Sequence, residues 1–252
     1  MHVKEIGTGA PVLLLHGGGV AGWLWRPTLS ELGGGVRAIV PDLPGHGSSA
    51  ALRYRSHAEV LAGLVDVLEE RAPAGAVVAG FSLGAQVAIL LAATRPDLVH
   101  RVVVVSAQNL PLPLERTTLA LLGATAPLAA RPWFARWQAA ALGLPEALVG
   151  DYLRDAAAIS SQTLLASVAE NLRFRLPEGW SRYPGPAVVM VGERERKVML
   201  DSARASHAAL PDSTLVRVSG CGHDLPLRRP DLVARAILDR LPTGDRTWQA
   251  AR

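Results

Sequence analysis

The chain has 252 residues, and 49% of them are hydrophobic, which predicts a folded protein with a sizeable core and excludes intrinsic disorder. Its net charge of +4 comes from scattered arginines, because Lys4 and Lys197 are the only lysines, and this scatter argues against nucleic-acid binding. A single cysteine, Cys221, excludes an internal disulfide. The apolar run at residues 12–15 is too short for a signal sequence or a membrane span, so we expect a cytoplasmic protein without a membrane partner.

Short apolar runs predict six buried strands along the chain. These runs lie at residues 12–15, 36–40, 76–79, 102–105, 187–191 and 214–218. Helical periodicity predicts helices at residues 58–70, 85–95, 202–210 and 230–241. The polar residues 1–5 are interpreted as leading directly into a turn, and the polar tail at residues 243–252 is expected to fray. Alternating strands and helices predict an α/β fold, in which a doubly wound, mostly parallel sheet carries its site at the carboxyl ends of the strands.

One long interval breaks this alternation, because residues 108–180 contain no strand signal and several helical patterns. The patterns lie at residues 119–124, 147–157 and 162–172. We therefore predict a single domain over residues 1–252, with residues 108–180 inserted as a helical cap over the active edge of the sheet. Aromatic residues of the interval, and Trp23 and Trp25 before it, fit either the lining of a hydrophobic pocket or ordinary core packing.

The strongest chemical signal is the pattern Gly-x-Ser-x-Gly at residues 80–84, between a predicted strand and a predicted helix. A sharp strand-to-helix turn, the nucleophile elbow, strains its central residue and leaves no room for side chains two positions away on either side. Ser82 then stands clear of the sheet at a helix N-terminus, whose dipole favours negative charge. We predict that Ser82 is a nucleophile.

Two glycine loops supply partners for Ser82. In the first loop, residues 16–19, the backbone amide of Gly18 is predicted to be one donor of an oxyanion hole. The amide of Leu83 is predicted to be the second donor. The other loop, residues 220–224, carries His223 after the last predicted strand, where it can act as the base for Ser82. We predict no metal and no cofactor, because the sequence contains neither a Cys/His cluster with ligand spacing nor a phosphate-binding loop.

In these motifs the chain resembles the α/β-hydrolase family, as a small capped member similar to esterases and lipases with a serine nucleophile. The resemblance rests on residues 16–18, 41–48, 80–84 and 222–223. It covers most of the chain outside the predicted cap, and the order Ser, acid, His along the chain also fits. The resemblance implies that Asp42 and His46 shape a loop and take no part in proton transfer.

The acid partner of His223 is implied by the same resemblance. The family places an aspartate a few residues after the strand that precedes the histidine strand, and this spacing points to Glu195. Because glutamate is one methylene longer than aspartate, the loop must lie slightly further back for the carboxylate to hold the imidazole. Glu193, another carboxylate or no acid at all remain alternatives, since three cationic side chains crowd the loop.

These residues predict a serine hydrolase with a catalytic triad. It would cleave a small or medium hydrophobic carboxylic ester, thioester or lactone through an acyl-enzyme on Ser82. The same groups also fit C–C bond hydrolysis, acyl transfer or a lyase reaction, and a non-catalytic ligand-binding protein of this fold is a further alternative. The expected partner is a small hydrophobic substrate, and the sequence leaves the natural substrate and the oligomeric state open.

Overall fold

The computed structural model describes residues 1–111, 115–129, 131–239 and 247–248. These residues form one sheet of eight strands in the order β1-β3-β2-β4-β5-β6-β7-β8. β1 pairs antiparallel with β3, and the other neighbouring strands are parallel. The strands are β1 (Val3–Ile6), β2 (Gly9–Leu15), β3 (Gly35–Pro41), β4 (Ala76–Phe81), β5 (Val99–Val105), β6 (Ala187–Gly192), β7 (Thr214–Val218) and β8 (Thr247–Trp248).

Ten helices of the described residues surround or cover the sheet, apart from short 3₁₀ turns. They are α1 (Arg26–Leu32), α2 (His57–Arg71), α3 (Leu83–Thr94), α4 (Glu115–Ala129), α5 (Pro132–Ala141), α6 (Glu146–Ala158), α7 (Ser161–Arg173), α8 (Lys197–Ala209), α9 (Leu225–Arg228) and α10 (Pro230–Ile237). Within the described residues, every helix falls short of the length and apolar character that a bilayer crossing requires.

Hydrophobic side chains fill both faces of the sheet. Leu13 and Leu15 on β2 belong to the core that includes buried residues of α2, α3 and α8. Val12 and Leu14, which alternate with them, belong to the core that includes buried residues of α1 and α10. Because both faces of the central strands are covered, these strands are almost continuously apolar, which is typical of a parallel sheet.

The predicted doubly wound, mostly parallel sheet is confirmed, and all six predicted strands lie within β2 to β7. The interpretation of residues 1–5 is wrong, because Val3–Ile6 form the antiparallel edge strand β1. Most of its residues are exposed, so it lacks the apolar run by which a buried strand is recognised. The predicted tail at residues 243–252 lies outside the described residues except for β8, and α10 ends at Ile237 rather than at residue 241.

The interval between β5 and β6 contains helices α4 to α7 and a 3₁₀ turn at Glu178–Arg182. Three of the four helices contain the predicted patterns, whereas α5 has no predicted counterpart. α4 packs against α7, and α5 packs against α6. The helical character of this interval therefore agrees with its sequence pattern.

A row of buried rings runs beneath the end of β2. The ring centroids of His16 and His46 are 5.3 Å apart, Tyr54 lies 6.2 Å from His46, and His57 lies 6.1 Å from Tyr54. Burial lowers the pKa of His16 from 6.5 to about 3, and it also lowers the pKa values of His46 and His57. All three histidines are therefore neutral in the native protein at neutral pH.

We expect the free energy of unfolding to fall as the pH drops below about 6.5. The unfolded chain takes up protons on these histidines in that range while the native protein does not, so acid favours the unfolded state. His16, with its pKa near 3, contributes about 1 kcal/mol of this loss between pH 7 and about pH 5.5, and the lowered pKa values of His46 and His57 add to it. Urea denaturation at the two pH values measures the change.

The matched variants for this measurement are His57→Gln and His100→Gln, since His57 is buried and His100 is exposed. His57→Gln should reduce the difference between the two pH values by more than His100→Gln does, whatever either substitution does to the absolute stability. An unfolding free energy that does not change between the two pH values would contradict the prediction.

Candidate active site

Ser82 occupies a one-residue turn between β4 and α3, with φ 53° and ψ −114°. Few residues other than glycine adopt a positive φ, so the conformation is strained. A Cβ atom at Gly80 would collide with the carbonyl oxygen of Gly84, which explains why the turn requires glycine there. The turn is tighter than the predicted one, because β4 continues to Phe81 and α3 already begins at Leu83.

His223 links Ser82 to a carboxylate. Its Nε2 atom lies 3.1 Å from Oγ of Ser82, and its Nδ1 atom lies 2.9 Å from Oε1 of Glu195. The side chain of Glu195 is only 4% exposed, whereas that of His223 is 40% exposed. The imidazole also packs against the ring of Phe81, with centroids 4.9 Å apart. The structure thus brings together the three side chains that the sequence pointed to.

The loop that carries Glu195 is hydrogen-bonded to the loop that carries His223. The amide of Arg194 donates to the carbonyl of Cys221 at 2.8 Å, and the amide of Glu193 donates to the carbonyl of Val218 at 2.9 Å. The carboxylate of Glu193 is exposed and accepts a hydrogen bond from Ser219 Oγ at 3.0 Å. The carboxylate of Glu195 therefore bonds to His223, whereas the carboxylate of Glu193 bonds to Ser219.

Gly18 and Leu83 line the same cavity as Ser82. The two residues are neighbours, since a Cβ atom at Gly18 would lie 4.0 Å from Cβ of Leu83. His16 holds the glycine loop by donating from Nδ1 to the Gly17 carbonyl at 2.7 Å and by accepting from the Leu43 amide through Nε2 at 2.9 Å. In the described part of the chain neither the Gly18 nor the Leu83 amide donates to a protein acceptor, so both are available to a bound oxygen.

The loop at residues 41–48 has a structural role. Asp42 accepts hydrogen bonds from the amides of Gly22 and Ser48, both at 2.8 Å. His46 is buried and its Nδ1 atom bonds the carbonyl of Pro44 at 2.9 Å. Neither side chain reaches Ser82, in agreement with what the family resemblance implied.

A cavity of about 340 Å³ opens at Ser82 beneath α4 to α7. Phe134 and Tyr152 line it together with aliphatic residues of these helices. Trp133 and Trp137 are 65% and 62% exposed, so they are neither pocket nor core residues. Trp23 and Trp25 are buried in the core and do not line the cavity.

Gln86 and Asn171 belong to the site, although no sequence motif contains them. Gln86 lies one turn after Ser82 on α3 and accepts a hydrogen bond from Nε2 of His57 at 2.8 Å. Its amide nitrogen donates to the carbonyls of Gln108 at 2.6 Å and Asn171 at 3.2 Å. The buried side chain of Gln86 therefore bonds to the start of the helical interval, just after β5, and to the last turn of α7.

No set of three or more His, Cys, Asp or Glu side chains in the described residues is arranged to hold a metal ion. The single cysteine, Cys221, is buried beside His223.

Known proteins with similar sequences include esterases, which the chain matches over part of their length. The pimeloyl-[acyl-carrier protein] methyl ester esterase of Vibrio campbellii is 40% identical over 106 residues, which make up 42% of this chain and 40% of that protein. An esterase of Mycobacterium tuberculosis is 42% identical over 101 residues, or 39% of this chain and 33% of that protein. The chain thus matches less than half the length of these curated relatives.

Solved structures are similar over nearly the whole chain. The esterase EaEST from Exiguobacterium antarcticum superposes with a TM-score of 0.80 at 19% identity, over 94% of each chain. At 19% sequence identity, this similarity shows a shared fold only. Residues 12–236 match the model of the Alpha/beta hydrolase family, and this match includes Ser82, Glu195 and His223. The chain therefore belongs to the alpha/beta hydrolase family.

Proposed function

We propose that this protein is a serine hydrolase that cleaves carboxylic esters of hydrophobic acids through an acyl-enzyme. The hydrogen-bonded series of Ser82, His223 and Glu195, at the mouth of a cavity without charged lining residues, is the observation that carries the proposal. Thioesters and lactones present the same carbonyl to the nucleophile. The esterase names of the curated relatives support the same reaction class.

The proposed reaction begins when Nε2 of His223 takes the proton of Ser82 and Oγ forms a bond to the ester carbonyl carbon. The amides of Gly18 and Leu83 donate to the oxyanion of the tetrahedral intermediate. The bond to the leaving oxygen then breaks, and His223 returns its proton to that oxygen. Water, deprotonated by His223, attacks the acyl-enzyme and releases the acid.

Glu195 acts on His223 in this scheme. Its buried carboxylate accepts the hydrogen bond from Nδ1, which fixes the tautomer that leaves Nε2 free to accept the serine proton. The carboxylate also stabilises the imidazolium that forms during attack. Because the carboxylate is only 4% exposed, its interaction with the imidazolium is weakly screened by solvent.

We also propose that residues 108–180 are a cap on a single domain and that the cap selects the acyl group. The cavity of about 340 Å³ lies between α4 to α7 and Ser82, and its size falls within the range of small-molecule pockets. Ile159, Leu164 and Val168 supply aliphatic lining from the later cap helices, so a neutral hydrocarbon chain fits there better than a charged one.

We expect Ser82→Ala to abolish turnover of p-nitrophenyl esters, with a loss on the order of 10⁴-fold or more. For the unaltered chain, kcat/KM should rise with acyl length until the chain fills the cavity beneath the cap. Rates for acetyl to dodecanoyl esters, measured with both proteins, check the two expectations. Turnover that persists in a folded Ser82→Ala protein, or no turnover of any ester by the unaltered chain, would argue against the proposed function.

We expect Glu195→Gln to lower kcat at least about a hundredfold, because the amide no longer stabilises the imidazolium and favours the wrong tautomer. Glu193→Gln is the matched control, since it makes the same change two residues away on a carboxylate that does not touch His223. Steady-state kinetics of the two variants on one ester distinguish them. Equal effects of the two substitutions would remove Glu195 from the triad.

We expect Gln86→Leu to lower the free energy of unfolding by about 1–3 kcal/mol, because it leaves the buried carbonyls of Gln108 and Asn171 without their donor. The loosened cap should also raise KM for long acyl esters more than for acetate. Gln162→Leu, an exposed change on α7, is the control. Equal changes in KM for long and short esters would argue against a cap held by Gln86.

A further inference from the structure

A second cavity also meets Ser82, and it shares Asn171 with the cavity beneath α4 to α7, here called the acyl cavity. The volume of the second cavity is about 350 Å³, and its lining includes Arg194 and Arg196 as well as Ser82, His223 and Glu195. The acyl cavity has no charged side chain among its lining residues. The nucleophile therefore lines both a neutral cavity and a cationic one.

Two guanidinium groups and one carboxylate line this second cavity, so its lining carries a net positive charge. Arg194 and Arg196 are exposed, and within the described residues neither guanidinium has an ion-pair or hydrogen-bond partner. Glu195, which lies between them in sequence, is bonded to His223. Of the neighbouring acids, Glu193 is bonded to Ser219, and Asp201 is paired with Lys197 and Arg204.

The start of α8 adds to this charge. Arg196 is the N-cap residue of this 13-residue helix, and no acidic residue lies in its first turn. The partial positive charge of the helix N-terminus and the two guanidinium groups are thus on the same side of Ser82. Arginine forks bind carboxylate and phosphate oxygens in pairs, so the cavity is suited to an anionic group.

The position of His223 decides which half of an ester enters each cavity. The imidazolium must donate its proton to the leaving oxygen, which therefore lies within hydrogen-bond distance of Nε2. His223 lines the cationic cavity but not the acyl cavity, whereas Gly18 and Leu83 line the acyl cavity. The alcohol half of the ester accordingly leaves through a cavity that His223 lines.

His223 also lines a third cavity, of about 60 Å³. Its walls are apolar and include Leu24, Leu144 and Leu227. This volume is about one sixth of that of the cationic cavity, so the third cavity suits a small alkyl alcohol. An alcohol of substantial size has more room in the cationic cavity.

We propose that the cavity at Arg194 and Arg196 binds the alcohol half of the substrate, and that this alcohol carries an anionic group, a carboxylate or a phosphate. The substrate is then an ester of an apolar acid with an anionic alcohol. This inference rests on the proposed function, because it assigns a leaving group to the same nucleophile.

The test uses hexanoyl esters of three phenols: methyl 4-hydroxybenzoate, which is neutral, 4-hydroxybenzoate, and 4-hydroxyphenyl phosphate. Each ester is compared with itself between the unaltered chain and the double variant Arg194→Gln/Arg196→Gln, so that differences in intrinsic reactivity cancel. We expect kcat/KM for at least one anionic ester to fall about tenfold more than kcat/KM for the neutral ester. The two anionic arms distinguish carboxylate from phosphate.

Arg204→Gln is the control, because it removes one positive charge from α8 at a residue outside the cavity lining. It should leave the ratio of anionic to neutral kcat/KM unchanged. The proposal is overturned if the double variant affects all three esters equally, or if Arg204→Gln changes the ratio as much as the double variant does.

A binding measurement keeps this inference separate from the proposed function. Titration calorimetry of 4-hydroxybenzoate and of 4-hydroxyphenyl phosphate with Ser82→Ala should give a Kd about tenfold weaker when Arg194 and Arg196 are also replaced. Such binding without turnover of any ester would support the anion site and argue against the hydrolase. Turnover of the neutral ester, with the arginines affecting neither binding nor rate, would support the hydrolase and overturn the anion site.

Discussion

The close approach of three backbone segments at Ser82 determines the geometry of the whole site. A Cβ atom at Gly84 would collide with the carbonyl oxygens of Leu15 and His16, so the first turn of α3 lies directly against the end of β2. The glycine loop begins at that point. Because β2 and β4 are hydrogen-bonded neighbours with Leu15 opposite Gly80, this one contact sets the position of the Ser82 hydroxyl relative to both the Gly18 and the Leu83 amides. A side chain at position 84 would separate all of them at once.

The strain at Ser82 is maintained by the packing around it. A residue in this region of φ and ψ costs on the order of 1–3 kcal/mol, and the structure offsets this cost through neighbours that are almost completely buried. The amide of Ser82 donates to the carbonyl of Val105 at 2.8 Å, and most residues of α3 are buried. Gln86, one turn further along α3, bonds the same helix to Gln108, just after β5, and to Asn171, near the end of α7. The helix that carries the strained turn at its start is therefore also bonded to the helical interval between β5 and β6.

Local sequence patterns were sufficient to predict the features that short segments determine by themselves. Steric limits predict the elbow at Ser82, apolar runs predict the buried strands, and together they predict the fold class. Other features depend on contacts between distant segments and leave no local signal. The position of Glu195 beside His223 depends on their hydrogen bond and on the bonds of the neighbouring amides to Cys221 and to Val218 at the end of β7. The edge strand β1 owes its pairing to β3 rather than to its own composition. The same holds for Gln86, whose partners lie far away in sequence.

The acid loop shows how one short segment separates two opposite charges. Glu195 is buried against His223, while the arginines on either side of it are exposed toward solvent and the second cavity. If an arginine paired with this carboxylate, the negative charge beneath the imidazole would be partly neutralised and the imidazolium would be less stable. Burial of Glu195 keeps the guanidinium groups away from it. The loop therefore presents its buried negative charge to His223 and its positive charges to the second cavity.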